Sequence, residues 1–113
     1  MKATRYYSGK QESAVAKTLK GKRVANSGAS NFVGGDVQTD LFLIECKTAT
    51  TQKKSMSIQK NWLDKLKQEA IGMKKRFIAL AFNFGGDTEN YYIITEKEFL
   101  RFNELLKEEE DEN

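Results

Sequence analysis

The segment Leu41-Phe42-Leu43-Ile44-Glu45-Cys46-Lys47 constrains the fold more than any other part of the chain. Four apolar residues in succession suit a β-strand buried on both faces, and therefore at the centre of a sheet. Side chains alternate along a strand, so Glu45 and Lys47 emerge together on one face while Ile44 and Cys46 take the other. A core strand that ends in a carboxylate and an ammonium on the same side calls for a charge-based explanation.

The rest of the chain is read around that strand. Asp36-Val37-Gln38 forms a preceding strand, joined to it by a tight turn over Gln38 to Leu41. Lys22 to Ala25 is a short strand before that, and Asn26 to Gly35 a loop of small and polar residues. Ser8 and Gln11 match a capping box that opens a helix running to about Lys20, with Val15, Ala16 and Leu19 as its apolar stripe. Glu12 lies three, four and seven residues before those positions, on the same inward stripe, where a carboxylate is costly without a partner. Ser55 or Ser57 caps a second helix with Ile58, Trp62, Leu66, Ala70 and Met73 inward, loosening at Gly72. Arg76 to Phe82 is an apolar strand, Gly85-Gly86 a turn and Tyr91 to Thr95 a last strand. Thr95 and Glu98 form a capping box for a third helix that turns Phe99, Phe102, Leu105 and Leu106 inward. This order, helix, three strands, helix, two strands, helix, describes an α/β domain with a central mixed sheet flanked by helices. Residues 1–107 are expected as one domain and 108–113 as an acidic, frayed tail.

Composition narrows the chemistry. The 113 residues include no histidine and a single cysteine, which excludes a Ser-His-Asp triad, a Cys-His pair, a His-ligated zinc and an internal disulfide. Cys46, inside the apolar run, reads as a small buried hydrophobe. Catalysis falls to carboxylates and lysines, whose oxygen ligands suit a hard ion such as Mg2+ or Mn2+. Five of the sixteen acidic residues stand in the run Glu108 to Glu112; the remaining 11 face 19 basic side chains, a net of +8. That surplus suits a phosphate backbone. No apolar run approaches membrane-spanning length, and the amino terminus lacks a secretory pattern, so the expected location is the cytosol.

Hydrolysis of a phosphodiester requires an activated water and neutralisation of charge on the phosphate, both within reach of a carboxylate-bound divalent ion. Asp36 and Glu45 are the proposed ligands on adjacent strands, with the backbone carbonyl of Cys46 between Glu45 and Lys47. Lys47 either orients the attacking water or stabilises the phosphate. Glu12 is placed to hold a second ion or the water shell of the first. Asp40 competes with Asp36, but five residues to Glu45 leave no room for a turn and two paired strands, so Asp36 is retained.

This arrangement resembles the PD-(D/E)xK nuclease superfamily, and within it the archaeal-type and phage Holliday junction resolvases, over most of Ser8 to Gly86. The matching features are Glu12 on the first helix, Ser27-Gly28-Ala29-Ser30 in the loop, Asp36, Glu45-Cys46-Lys47, the helix of Ile58 to Met73 and the strand of Phe77 to Phe82. Two features depart from the pattern: glycine precedes Asp36 where proline is usual, and the step from Asp36 to Glu45 is short for the archaeal proteins. The resemblance implies a restriction-endonuclease-like fold and a homodimer whose two sites nick opposing strands of a four-way DNA junction. It implies a loop serine near the scissile phosphate, Ser30 or else Ser27, and a polar residue near the site at the start of the second helix, here Gln59. Lys10, Arg23, Asn31, Lys53, Lys54 and Lys60 are the expected phosphate contacts, with the two loop serines. The sequence itself leaves open a nuclease for linear, flap or single-stranded DNA, and a binding module without chemistry.

Overall fold

The computed structural model describes residues 4–25, 34–86 and 89–112, for residue 4 the backbone alone. The elements are α1 (Thr4–Leu19), β1 (Lys22–Arg23), β2 (Val37–Gln38), β3 (Phe42–Lys47), α2 (Lys60–Gly72), β4 (Phe77–Phe82), β5 (Tyr91–Ile93) and α3 (Glu96–Glu112). They form an α/β fold whose five strands lie side by side in chain order. Antiparallel pairing links β1 to β2, β2 to β3 and β4 to β5, whereas β3 and β4 run parallel with α2 as the crossover between them. The sheet is mixed and β3 is its middle strand, as its apolar run requires. None of the described helices is long and apolar enough to cross a membrane.

Alternation along β3 divides the core. Ile44 and Cys46 pack with Val15 and Ala16 of α1 and with Ala79 and Ala81 of β4; Leu43 faces Leu66 and Ala70 of α2 and Ile78. Glu45 and Lys47 share the parity of Leu43 and therefore the α2 face. The hairpin between β2 and β3 is closed by Thr39, whose N–H reaches the Phe42 carbonyl at 3.0 Å and whose hydroxyl accepts the N–H groups of Leu41 and Phe42.

Several boundaries differ from expectation. Helix α1 already runs at Thr4, so Ser8 lies within it and does not cap it; Gln11 turns inward and is buried. The N-cap of α2 is Gln59, with no side-chain cap bond, which leaves Ile58 outside the helix and exposed. Strands β1 and β5 are shorter than read. The Thr95 cap of α3 is present: its hydroxyl accepts the Glu98 N–H at 3.1 Å and donates to the Glu98 carboxylate at 3.0 Å. Of the four residues expected inward on α3, Phe102 meets Phe42 and Phe77, but Phe99, Leu105 and Leu106 are exposed. Helical periodicity identifies an apolar stripe without saying whether anything lies opposite it. The acidic run expected to fray continues α3 as helix to Glu112; glutamate is a good helix former, although acids at this end oppose the helix dipole.

Helices α1 and α2 end alike. The Gly21 N–H bonds the Ala16 carbonyl at 2.9 Å and the Lys75 N–H the Ala70 carbonyl at 2.8 Å, each spanning six residues. Inside them, Lys20 N–H reaches Lys17 and Lys74 N–H reaches Ile71. Both are Schellman endings, and the left-handed residue is a lysine in each, Lys20 and Lys74 with φ of 56°. For α2 this, and not Gly72, is the stop. A side chain in that conformation costs about 1–2 kcal/mol; a lysine charge at a helix C-terminus returns roughly 0.3–1 kcal/mol. Local energetics therefore favour glycine at both positions.

Gly21 follows the first of these endings, where a Cβ would overlap the Gln38 carbonyl oxygen and crowd Thr39. Because the obstacle is backbone of the β2–β3 hairpin, relief requires the hairpin to shift. Gly21→Ala is expected to lower stability by about 1–3 kcal/mol in urea titration with no change in the slope.

Candidate active site

Asp36 immediately precedes β2 and is held by two backbone bonds and one side-chain bond. Its N–H donates to the Ile44 carbonyl at 2.8 Å, its carbonyl accepts from Val24 at 2.9 Å, and its Oδ2 accepts the Cys46 N–H at 2.8 Å. With the Val37–Ile44 register, these bonds fix the Asp36 carboxylate beside the end of β3. Cys46 is buried, and burial first, then the neighbouring carboxylates, pushes its thiol well above the ordinary range. It remains a neutral hydrophobe.

Among the described carboxyl groups, Glu45 is the most strongly perturbed. Burial, then the charge of Asp36, raises its carboxyl from the usual range to about 7; Lys47 lowers it, while a hydrogen bond to Asp36 and the charge of Glu69 raise it further. The charge of Asp36 so close by disfavours a second negative charge and keeps the proton on Glu45. Lys47 offsets this in part: its Nζ is 3.7 Å from Glu45 Oε1 and 4.3 Å from the centre of the Trp62 ring on α2. The indole face restricts the ammonium to the carboxylate side, a use of Trp62 that its place on an apolar stripe did not disclose.

Glu12, 18% exposed at the side chain, has the partner that its position demanded: Arg23 Nη2 lies 3.1 Å from Oε1. Burial and the charge of Asp36 raise the Glu12 carboxyl, and Arg23 opposes them. Glu12 is thus within the field of Asp36 but bonded to Arg23, whose side chain remains half exposed. Among the described residues no three His, Cys, Asp or Glu side chains gather as a metal-binding group. What converges is the pair Asp36 and Glu45, with Lys47 beside it.

The remaining expected residues are scattered. Gln59 is exposed at the start of α2, and Lys60 pairs with Asp64 at 2.7 Å one turn on. Lys10, Lys53 and Lys54 are exposed. Ser27, Ser30 and Asn31 lie outside the described residues.

Three residues at the site, Gln11, Asn83 and Glu69, were not assigned to it from the sequence. Gln11 is 4% exposed, and its Nε2 donates to the Lys47 carbonyl at 2.9 Å, the Ala81 carbonyl at 3.3 Å and Asn90 Oδ1 at 3.0 Å. It ties α1 to the ends of β3 and β4 directly behind Glu45 and Lys47. Asn83 extends this network by bonding Asn90 and Thr48. Glu69 projects from α2 over Gly34, where any side chain would overlap its carboxylate, and its Oε1 is buried without a partner. A signal for Glu69 existed: it stands seven residues after Trp62 and three after Leu66, on the inward stripe of α2. No family model, curated protein or solved structure matches the chain, and the site's own geometry carries its chemistry.

Proposed function

We propose that the chain is a divalent-metal-dependent DNA endonuclease of the PD-(D/E)xK type with a restriction-endonuclease-like fold, acting on four-way junctions as a homodimer. The observation that carries this reading is the Asp36–Glu45 pair at the end of a core strand, with Lys47 held against it.

The donor set fits Mg2+ or Mn2+. Asp36 and Glu45 are both oxygen donors, one Asp36 oxygen is anchored by Cys46, and a dication would replace the proton that Glu45 otherwise retains to about pH 7. Asp36, Glu45 and the Cys46 carbonyl would hold the ion, with water and phosphate oxygens completing the shell; when bound, it supplies a more acidic water and Lewis-acid stabilisation of the phosphate. Asp36 acts as the rigid ligand, since its other oxygen is committed to the backbone. Glu45 supplies the second charge and holds a proton when no cation is present. Lys47 neutralises charge on the phosphate or orients the attacking water, and Trp62 limits where its ammonium can go. Gln11 keeps the ends of β3 and β4 in register behind them.

Selectivity for branched DNA follows from the resemblance over Ser8 to Gly86. Paired nicks require two sites, and the exposed Phe99, Leu105 and Leu106 of α3 offer apolar surface for a second copy. The test is incubation with Mg2+ and either a four-way junction or a matched linear duplex. Symmetric paired nicks confined to the junction are expected; equal cutting of both removes the junction assignment, and no cutting of any DNA removes the nuclease.

A further inference from the structure

At the opposite end of β3 from the carboxylates, an open cleft of ≈ 520 Å³ is lined by Lys20, Lys22 and Lys75, with Asp40 the acidic side chain among its lining residues. Its walls are the ending of α1, the β2–β3 hairpin and the turn between α2 and β4. Lys75 also lines a neighbouring cleft with Arg76, and Lys74 precedes it in the same turn. Lys75 Nζ is bonded to the Thr39 carbonyl at 2.7 Å, which braces the wall. The endings of α1 and α2, which contribute Lys20 and Lys75 to this cleft, place Lys20 and Lys74 in left-handed backbone where glycine is favoured. A positive charge is thus kept at both positions against the conformational preference of the backbone, and at neither is it buried.

We infer that this lysine-lined pole is a second DNA-contacting surface, which grips the phosphate backbone of a duplex arm away from the scissile bond. The inference rests on the nuclease reading for the identity of the polyanion. From Glu45 back to Phe42, the first residue of β3, is roughly 10 Å at about 3.3 Å a residue, so the pole stands apart from the carboxylates along the same strand. Lysine ammonium groups with no base-reading side chain among them suit a positioning contact, indifferent to sequence. The competing occupant is the acidic end of α3 from another copy of the chain.

The test uses full-length protein carrying Glu45→Gln, which blocks cleavage, and measures binding to a four-way junction and a linear duplex in EDTA across 50–200 mM salt, a range in which phosphate contacts dominate. Adding Lys20→Gly and Lys74→Gly should weaken binding to both DNAs about tenfold or more and reduce the salt slope by about 2, one contact being worth about 0.9. Melting temperature should be unchanged or higher, because glycine suits both positions. Lys20→Arg with Lys74→Arg should bind as the parent does. Unchanged affinity and slope in the glycine pair overturn the inference, as does a matching loss in the arginine pair. A change in self-association by sedimentation with DNA binding intact assigns the pole to the α3 end instead. Cleavage by the wild-type chain in Mg2+ is scored separately: cutting with no effect of the lysine pair removes this surface alone, and a lysine effect without cutting removes the nuclease alone.

Discussion

Glu45→Gln is expected to abolish metal-dependent DNA cleavage while making the folded chain more stable at pH 8. Activity should fall at least about 10³-fold, since the substitution removes one of the two proposed charged ligands and the partner of Lys47. The gain in stability follows from the direction of the shift. Below the ordinary carboxylate range Glu45 is protonated in both folded and unfolded chains and contributes no difference. Between that range and about pH 7 the unfolded chain releases the proton and the fold retains it, so stability falls as pH rises, and above 7 the cost is fully present. A neutral amide avoids it. The expected gain at pH 8 is on the order of 2 to 3 kcal/mol, with none at pH 4. Urea titration of both proteins at the two pH values measures it, and a variant that is less stable than wild type at pH 8 would show that Glu45 is held by favourable contacts.

Asp36→Asn separates the backbone role of Asp36 from its charge. The amide oxygen can still accept the Cys46 N–H, so the loss of stability should stay below about 1 kcal/mol. The second-largest cause of the raised Glu45 carboxyl is removed, so its midpoint should move down from about 7 toward the ordinary range. Cleavage should be lost as completely as in Glu45→Gln, because one neutral and one charged ligand hold a dication poorly. Carbon NMR titration of the Glu45 carboxyl reads the first effect, and a nicking assay the second. A midpoint that stays near 7 would mean that burial alone raises Glu45. Asp36→Ala, which lacks the acceptor, should in contrast destabilise by about 1–3 kcal/mol through the orphaned Cys46 N–H.

Much of this site is legible in seven residues. The apolar run of β3 demands a central strand, and alternation then puts Glu45 and Lys47 on one face, which is the face they occupy. The position of Asp36 followed from turn length and register. Glu12 on an apolar stripe called for a partner, though not for Arg23 in particular, since the two stand eleven residues apart on different elements.

Other features depend on contacts that no local pattern encodes. Gln11 looked like part of a cap because Ser8 and Gln11 satisfy a spacing rule, but α1 is already helical at Thr4 and the amide is spent on Lys47, Ala81 and Asn90, as far as 79 residues away. The stripe of α3 was correctly placed on one side of the helix, yet burial needs a surface opposite, and the sheet presents one to Phe102 alone among the four. The lysine pole arises because the endings of two helices contribute lysines to one cleft, which neither helix announces by itself. The sequence by itself determined the central strand, the order of the elements and the shared face of Glu45 and Lys47, because these follow from periodicities of two and 3.6 residues acting over a few neighbours. Only the tertiary structure decided which charges meet: the approach of Asp36 to Glu45, the seat of Lys47 on Trp62, the buried Oε1 of Glu69 and the convergence of Lys20 with Lys75 on one cleft are set by how the sheet and helices pack, and electrostatic interactions depend on distance and burial, which the chain acquires only on folding.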